Sequence, residues 1–420
     1  MAKEVYYGAI DIGSSEIRAV IARKFSGDET LQIIGVGTTP SLGIRKGGVV
    51  DVDSLAKAVN ECLELAERMA GVPIQSISVS VTGSDIQSHD ALGVVAVGRA
   101  DGEVTEDDTA RVFEEVQTRL ILPMNREIIH VIPKDYRLDD TKNLKDPIGL
   151  KGVRLEMGAI VVSLPASHIK NTKRALELAS LSVENITVEG IAAAEAVLDQ
   201  KHKELGTVLI NIGGTTTSLA VYEDGELLHL AVVPVGSAHI TNDVAIALRS
   251  SIEVAEAVKL QYGTVNPSDV GKKEEIDLSL FDSQEEGLVS RYHVAEVIEA
   301  RYEEICQLIN EELQKIGKEA LLPGGAILTG GGALLPGIIE KTKTLLRLPV
   351  HVGYPKPLGG VLDQVDSPQF ATVLGLIFLA ENGERGLRSE NGSFALSQYL
   401  PRGFRGATEG LQGWMKKFLP

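Results

Sequence analysis

The spacing of apolar and polar residues changes repeatedly along the chain, and each change marks a passage between strand and helix. Near the start, continuous or alternating apolar runs bounded by turn residues predict strands over 4–11, 16–24 and 74–82. Residues 53–70 instead carry apolar side chains at helical spacing, which predicts a helix that ends at Gly71. Asp53 or Ser54 is its predicted N-cap. The first part of the chain therefore alternates strands with helices.

The alternation is interrupted between residues 84 and 160. One helix is predicted near 106–120, and strands are predicted near 126–138 and 153–163 with a turn-rich stretch between them. A segment with its own short elements, placed inside a longer alternating pattern, indicates a small subdomain inserted into a larger domain.

Alternation resumes after this segment and continues for most of the remaining chain. Helices are predicted over 167–180, 190–200, 236–262 with a break near Ser250 and Ser251, 287–317 and 367–381. Strands are predicted over 182–189, 208–222 with a turn inside, 226–233, 325–329 and near 349–353. Residues 384–407 are rich in Gly, Ser and Arg without any periodicity, which predicts a flexible linker.

Composition narrows the class of protein. A chain of 420 residues exceeds what one hydrophobic core usually supports, so at least two domains are expected. Its net charge of −17 and its 4% aromatic content argue against nucleic acid as a partner. Cys62 and Cys306 lie in helix-like stretches far apart, and we expect buried thiols in a reducing compartment. No secretory leader and no long apolar segment are evident, so the expected location is cytosolic.

One pattern occurs twice. Residues 8–22 read GAIDIGSSEIRAVIA and residues 208–222 read VLINIGGTTTSLAVY, so Asp11 and Asn211 hold the same place 200 residues apart. Each copy is a strand, a turn of Gly with Ser or Thr, and a second strand, which can surround a phosphate with N–H groups and hydroxyls. The predicted phosphate ligands are Gly13, Ser14, Ser15 and Arg18 in the first copy, and Asn211, Gly213, Gly214, Thr215 and Thr216 in the second. Asp11 suits a hydrated Mg²⁺. The alternative is a pair of ordinary β-hairpin turns.

A third glycine-rich element follows a predicted strand. In AILTGGGALLPG (326–337), Gly330, Gly331 and Gly332 would let the backbone lie flat against a base or ribose. The three elements, in this order, resemble the phosphate 1, phosphate 2 and adenosine motifs of the actin/Hsp70/sugar-kinase ATPase superfamily. The resemblance implies an α/β, actin-like ATPase fold: two RNase H-like domains around a cleft that binds ATP and Mg²⁺.

Within that superfamily the chain resembles the FtsA family of bacterial cell-division proteins. The resemblance is carried by PVGSAHITNDVAIAL (234–248), AEAVKLQYG (255–263), HVIPKDYRLDD (130–140) and DPIGLKGVRLE (146–156). It implies a first domain, 1A, of residues 1–83 and 161–205, an inserted subdomain 1C at 84–160, and a second domain at 206–383 with a small subdomain 2B near 237–317. It also implies that Gly236, Glu256 and Lys259 approach the ribose and adenine. Taken alone, Glu256 and Lys259 could be a solvated helix pair.

The same resemblance implies partners and a location. Proteins of this family polymerise and anchor the tubulin-like FtsZ to the cytoplasmic face of the cell membrane at the division site, as peripheral proteins. The FtsZ C-terminal tail would dock on subdomain 2B, where Arg291 and Arg301 resemble basic positions of the docking site. Both could instead be solvated helix arginines. Later division proteins are further possible partners.

The last residues, 408–420, predict a helix that lies in the plane of a membrane. One helical face is apolar and consists of Leu411, Trp414, Met415, Phe418 and Leu419. Lys416 and Lys417 lie off this face, and residues 401–420 hold four basic residues against one acidic residue. The alternative is a terminal helix that docks on the protein's own core.

Enzymatic activity is the open question. In the superfamily that the chain resembles, the second turn usually carries Asp, whereas this chain has Asn211, whose amide cannot accept a proton from water. Tight ATP binding with slow or negligible hydrolysis is therefore expected, with Glu189 or Glu195 as possible substitute carboxylates. A sugar kinase would need a sugar-binding insertion that 84–160 does not resemble. A pilus-type actin-like adaptor is the closer alternative, with the same nucleotide motifs but no membrane tail.

Overall fold

The computed structural model describes residues 4–25, 30–283, 285, 287–361 and 363–385. The predicted membrane helix at 408–420 and nearly all of the predicted linker lie outside these residues. Within the described part the chain forms nineteen β-strands and ten α-helices.

The elements follow the predicted alternation for most of the chain. The strands are β1 (Glu4–Ile12), β2 (Glu16–Phe25), β3 (Gln32–Pro40), β4 (Ile44–Arg45), β5 (Gly48–Val49), β6 (Ser76–Val81), β7 (Gln87–Ala96), β8 (Arg126–Leu138), β9 (Thr141–Leu144), β10 (Arg154–Pro165), β11 (Ser182–Val188), β12 (Thr207–Ile212), β13 (Thr217–Glu223), β14 (Glu226–Val233), β15 (Glu275–Asp277), β16 (Leu288–Ser290), β17 (Gly325–Thr329), β18 (Val350–Val352) and β19 (Gly359–Gly360). The helices are α1 (Val52–Ala70), α2 (Glu106–Arg119), α3 (Ala166–Leu178), α4 (Glu189–Val197), α5 (Gln200–Leu205), α6 (Ser237–Leu248), α7 (Ile252–Tyr262), α8 (Arg291–Lys315), α9 (Ile338–Leu346) and α10 (Ala371–Arg385). Helix α10 therefore covers the first two residues of the predicted linker.

Six strands form the first sheet, in the order β11-β6-β1-β2-β3-β19. Strands β1, β2 and β3 are antiparallel neighbours, whereas β6 runs parallel to β1 and β11 runs parallel to β6. Alternate residues of β1 and β2 face opposite sides of the sheet. Ile10 and Ile17 pack in the cluster that includes α1, while Ala9 and Val20 pack in the cluster that includes α10. Helices therefore cover both faces of this sheet.

Five strands form a second sheet, in the order β14-β13-β12-β17-β18. Its antiparallel meander β12–β13–β14 repeats β1–β2–β3, and parallel β17 lies beside β12 as β6 lies beside β1. The sequence pattern that occurs twice is thus the first hairpin of two sheets with the same topology. Helices α6, α7 and α8 pack beside this sheet in a separate core cluster.

Strand β3 was not predicted, because Gly35 and Gly37 interrupt its apolar pattern. The structure gives the reason for both glycines. A Cβ at Gly35 would lie 2.2 Å from the Ala66 carbonyl oxygen, and a Cβ at Gly37 would lie 2.0 Å from that of Cys62. The two glycines let α1 approach the strand backbone to backbone, and this packing places α1 on the sheet.

The predicted N-cap of α1, Asp53 or Ser54, was wrong by two or three residues. Asp51 is the N-cap, and its carboxylate accepts hydrogen bonds from the backbone N–H groups of Asp53 and Ser54, each at 3.1 Å. Asp53 and Ser54 lie inside the helix, whose first residue is Val52. The predicted end at Gly71 is confirmed, since Gly71 adopts the left-handed conformation with φ 70°.

The residues that follow β6 form a four-stranded antiparallel sheet, in the order β7-β10-β8-β9, with α2 packed on one face. Strand β7 was not predicted because its sequence, QSHDALGVVA, is largely polar and partly exposed. Its Gly93 allows α2 to approach, since a Cβ there would lie 2.5 Å from the Val112 carbonyl oxygen. The sheet continues through β10 to Pro165, where α3 returns to the first domain.

Helices α4 and α10 pack against each other in close contact. A Cβ at Gly375 in α10 would lie 1.7 Å from the Ala192 carbonyl oxygen in α4.

Both predicted buried thiols are confirmed, because Cys62 and Cys306 are buried and free. Burial raises the pKa of Cys62 to about 11 and that of Cys306 to about 12. In the described ranges, none of the helices combines the length and apolarity needed to cross a bilayer.

Candidate functional site

The turns of the two repeated hairpins face each other across the cleft between the sheets. The Thr215 hydroxyl donates a hydrogen bond to the Ser14 hydroxyl at 2.7 Å. A Cβ at Gly214 would lie 2.3 Å from the Ser15 Oγ, so the two turns are in close contact. Hydroxyl and backbone N–H groups of both turns therefore converge at one place between the domains. Such a set of groups can bind a phosphate.

A second hydroxyl pair lies behind the first. The side-chain oxygens of Thr82, which follows β6, and Thr216 in the second turn are 3.2 Å apart, and both residues are buried. Thr82 was not among the predicted site residues, because only the parallel pairing of β6 with β1 brings its strand end to the cleft. The end of a parallel strand next to a glycine turn was the one available signal.

Asp11 is the penultimate residue of β1 and lies at the bottom of the first turn. The Ser80 hydroxyl donates to its carboxylate at 2.6 Å, and the residue is buried. Burial raises the pKa of Asp11, while the Ser80 hydrogen bond and the nearby charge of Arg18 lower it. A divalent cation would favour the ionised form still further.

Arg18 lies on β2 directly opposite Asp11 in the strand pairing. Its guanidinium forms an ion pair with Glu16, donates to the Gln369 side-chain oxygen at 3.2 Å, and lies 5.4 Å from the Phe370 ring centroid. The predicted phosphate cation is thus at the first turn, but its charge is already shared with a carboxylate.

Asn211 has a different environment from its counterpart Asp11. Its amide nitrogen lies 3.5 Å from the Thr372 hydroxyl, and a Cβ at Gly330 would lie 2.3 Å from its amide oxygen. Gly330 itself has φ 81°, which favours glycine. Gly332 packs on Ile212 in the same way, at 2.3 Å from a side-chain carbon. The third glycine element therefore lies directly on the end of the second hairpin strand.

The start of α6 is hydrogen-bonded to the second turn. The backbone N–H groups of Ser237 and Ala238 donate to the carbonyl oxygens of Gly213 and Gly214 at 2.9 and 2.8 Å. A Cβ at Gly236 would lie 2.5 Å from the Gly213 carbonyl oxygen. Gly236 thus lies against the second phosphate turn.

Lys259 and Glu256, both on α7, lie beside this helix start. The Lys259 ammonium donates to Glu256 at 2.6 Å and to the Thr241 hydroxyl at 2.9 Å. The Lys259 side chain is 4% exposed and that of Glu256 is 41% exposed. The lysine is therefore buried against α6 and does not belong to a solvated helix pair.

The structure distinguishes the two carboxylates that the sequence left equivalent. Glu189 begins α4 at the cleft, is buried, and its Oε1 has no hydrogen-bond partner among the described residues. Burial raises the pKa of Glu189 to about 8; a hydrogen bond from Thr82 opposes this rise and the Asp11 charge adds to it. Glu195, nearer the end of the same helix, is instead ion-paired with Lys203 at 2.9 Å.

Direct protein ligands for a metal ion are not assembled in the described ranges. No group of three or more His, Cys, Asp or Glu side chains there could hold a metal ion. Mg²⁺ in nucleotide sites usually keeps several waters and takes one or two carboxylates plus phosphate oxygens. A single carboxylate, Asp11, beside the turns fits that kind of site.

Family models and curated relatives both match this chain. The model for cell division protein FtsA matches residues 208–375, and the model for the SHS2 domain inserted in FtsA matches residues 83–163. The chain is 35% identical to the cell division protein FtsA of Bacillus subtilis over 374 residues, which cover 89% of this chain and 83% of that protein. The chain belongs to the FtsA family.

Other FtsA proteins match to a similar extent. That of Pseudomonas aeruginosa is 34% identical, covering 88% of this chain and 87% of its own. That of Escherichia coli strain K12 is 30% identical and covers 97% of both chains. The chain therefore spans nearly the whole length of its FtsA relatives.

Solved structures confirm the actin-like fold. A chain of the PilM–PilN type IV pilus biogenesis complex superposes with a TM-score of 0.66 at 16% identity, covering 89% of this chain and 98% of that one. MreB5 of Spiroplasma citri bound to ADP gives a TM-score of 0.51 at 14% identity, covering 90% and 97%. At such low identity these similarities establish the fold alone.

The two arginines that the FtsA resemblance singled out both have intramolecular partners. Arg301 on α8 forms an ion pair with Asp243 on α6, with one N–O distance of 3.0 Å, and another with Glu304. Arg291 pairs with Glu274 at 2.7 Å and donates to the Tyr262 carbonyl oxygen. An acidic peptide would have to exchange with these carboxylates to bind either guanidinium.

Proposed function

We propose that this protein binds ATP with Mg²⁺ in the cleft between its two domains, polymerises, and tethers FtsZ to the cytoplasmic face of the cell membrane during septum assembly. A role in cell division follows from its membership of the FtsA family. The observation that carries the nucleotide part is the meeting of the two repeated turns, where Thr215 and Ser14 are joined at 2.7 Å.

The residues of the cleft fit a nucleoside triphosphate. Glycine is required at Gly236, where a Cβ would lie 2.5 Å from the Gly213 carbonyl oxygen. The phosphates would lie between Gly13, Ser14 and Ser15 on one side and Gly213 to Thr216 on the other. A nucleotide bound there would contact turns of both domains, and its Mg²⁺ would supply positive charge beside Asp11.

The base and ribose would lie beside the second domain. Gly330, Gly331 and Gly332 form one side of that part of the cleft, and Gly236, Glu256 and Lys259 form the other. The buried ammonium of Lys259, held 2.9 Å from the Thr241 hydroxyl, is a fixed donor close to the second turn. These assignments accompany the proposed domains: 1A at 1–83 and 161–205, 1C at 84–160, and the second domain at 206–383 with 2B near 237–317.

The cleft favours nucleotide binding over rapid hydrolysis. Asn211 cannot accept a proton, and the pKa of about 8 keeps Glu189 largely protonated at neutral pH. Neither group is therefore a ready base for an attacking water. ATP would then serve mainly to hold a conformation that assembles, with turnover slow or negligible.

Membrane attachment is assigned to residues 408–420, whose sequence has one apolar face and two flanking lysines. A single short amphipathic helix binds a membrane reversibly, whereas a polymer presents many copies and gains from avidity. Assembly and membrane attachment would then reinforce each other.

Co-pelleting with vesicles that contain anionic lipid tests the proposal. The full chain and a truncation after residue 407 are compared with and without ATP, and FtsZ is added to each. We expect the full chain to pellet and to carry FtsZ with it, most strongly with ATP, and the truncation to leave both in the supernatant. Pelleting of the truncated chain would refute the assignment of the tail.

Binding of the FtsZ C-terminal peptide tests the site on subdomain 2B. Arg301→Glu should weaken binding of this acidic peptide, whereas Asp243→Asn should leave it equal or tighter because the guanidinium loses a competing carboxylate. Asp243→Asn disturbs the same ion pair and is therefore the matched control. Equal weakening by both variants would show that the ion pair supports the fold and that Arg301 does not bind the peptide.

A further inference from the structure

A two-residue hairpin stands beside the first phosphate turn. Strands β4 and β5 pair Ile44 with Val49 and Arg45 with Gly48, so Lys46 and Gly47 form the turn. Both turn residues have positive φ, 51° and 78°, as a tight type I′ turn requires. The Ser41 N–H, just before the hairpin, donates to the Ser15 carbonyl oxygen at 2.9 Å. The base of the hairpin is therefore hydrogen-bonded to the phosphate turn itself.

The tip of this hairpin packs on the wall of the cleft. A Cβ at Gly47 would lie 2.7 Å from the Gly83 Cα and 2.9 Å from its nitrogen, so the two backbones are in contact. Gly83 follows Thr82, whose hydroxyl lies 3.2 Å from that of Thr216 in the second turn. Lys46 is therefore the neighbour of Gly47, which contacts the backbone of Gly83. Gly83 and Thr82 belong to the segment at the phosphate end of the cleft.

The charge balance of the cleft leaves a need for cations. Asp11 places a carboxylate there, while the nearby cations Arg18 and Lys259 are ion-paired with Glu16 and Glu256. A triphosphate with one Mg²⁺ still carries net negative charge. The glycine turns offer hydroxyls and N–H dipoles but no full positive charge.

Arg45 and Lys46 can supply that charge. Both side chains are exposed, and neither has an ion pair within the described residues. Arginine and lysine side chains are long and flexible, so both can reorient while Gly47 at the tip remains packed on Gly83.

The position of the hairpin indicates that it would reach the terminal phosphate of a bound nucleotide and not its base. The adenosine-side elements contact the second domain, with Gly332 on Ile212 and Gly236 on Gly213. In the described part of the chain, the hairpin and the residue that leads into it contact first-domain segments at the opposite side of the phosphate turns: Ser41 bonds to Ser15, Gly47 packs on Gly83, and β5 packs beside α3. A ligand group reached from there is the end of the phosphate chain.

We propose that the hairpin Ile44–Val49 binds the terminal phosphate of the nucleotide through Arg45 and Lys46, and so makes the protein prefer a nucleoside triphosphate to a diphosphate. This inference rests on the proposed nucleotide cleft. Loss of the terminal phosphate would release the hairpin's only charged ligand, so the hairpin would report the nucleotide state at the surface of the first domain.

Calorimetric titration of the full chain with a non-hydrolysable MgATP analogue and with MgADP tests the inference. The variants are Arg45→Gln, Lys46→Asn and their combination; asparagine tolerates the positive φ at position 46. We expect the double variant to bind the ATP analogue about tenfold more weakly, with ADP affinity changed less than about twofold. Lys57→Asn removes one positive charge from the exposed side of α1 and should change neither affinity.

Gly47→Ala separates position from charge. It keeps both cations but introduces a Cβ 2.7 Å from the Gly83 Cα at φ 78°, so the hairpin must move away from the cleft. The preference for ATP should fall toward that of the double variant, while Lys46→Arg should retain it.

The outcomes discriminate between this inference and the proposed function. If the wild-type chain binds both nucleotides and the double variant keeps the same ratio of affinities, the hairpin has no role and the cleft proposal stands. If the wild-type chain binds neither nucleotide, the proposed cleft function and this inference both fail.

Discussion

Replacement of Glu189 by glutamine should make the protein more stable at alkaline pH. Glu189 is buried at the first residue of α4, and burial raises its pKa from 4.5 to about 8, with a hydrogen bond from Thr82 opposing the rise and the charge of Asp11 adding to it. Glutamine has almost the same shape and hydrogen-bonding atoms but never ionises. The substitution therefore removes the ability of this side chain to ionise and little else.

The direction of the pH effect follows from proton binding. Between pH 4.5 and about 8 the folded protein keeps the proton on Glu189, whereas the unfolded chain releases it. The free energy of unfolding then falls as pH rises through this range, and the loss is complete above the folded-state pKa. Each pKa unit corresponds to about 1.4 kcal/mol, so the shift of Glu189 amounts to at most about 5 kcal/mol.

The assay is urea unfolding of the wild type and the variant at about pH 6 and about pH 8.5. Glu189→Gln should stabilise the chain by several kcal/mol more at the higher pH than at the lower. Glu195→Gln is the matched control, because it removes a carboxylate from the same helix that is ion-paired with Lys203. A stabilisation by Glu189→Gln that is equal at both pH values would refute the reasoning.

Two further substitutions test how the cleft is supported. Gly375→Ala should destabilise the chain by about 1–3 kcal/mol, because the new Cβ would lie 1.7 Å from the Ala192 carbonyl oxygen. Gly383→Ala lies in the same helix but has no atom within 4 Å of the new Cβ, so it should stabilise the chain by about 0.5–1 kcal/mol. Thermal unfolding of both variants measures these changes. Equal effects would contradict the packing argument. His130→Leu should cost about 1–3 kcal/mol, because buried His130 Nε2 accepts the Val188 N–H at 3.1 Å. His130→Gln, which keeps an acceptor, should cost less, and an identical loss would exclude the hydrogen bond as the cause.

The repeated hairpins could be predicted from the sequence because they are local structures. A strand, a glycine turn and a returning strand are encoded within fifteen consecutive residues in each copy, and both hairpins formed where predicted. The end of α1 at Gly71 was predictable for the same reason, since a left-handed residue ends a helix regardless of what packs on it.

Elements that depend on a neighbour were the ones that pattern reasoning missed. Strand β3 contains Gly35 and Gly37, which look like breaks until α1 is seen packed on them. Strand β7 is too polar to be recognised, and it is a strand because β10 pairs with it along its whole length. In both cases the deciding partner lies many residues away along the chain.

The sequence by itself determined the two repeated hairpin turns, the glycine element after β17 and the α/β alternation, because each is encoded by consecutive residues. Only the tertiary structure decided which carboxylate lies at the cleft: Glu189 is buried there, while Glu195 pairs with Lys203. It also decided that Lys259 is buried and that Arg301 already has a carboxylate partner. Burial and ion pairing depend on distant segments brought together by packing, and no pattern of neighbouring residues records them.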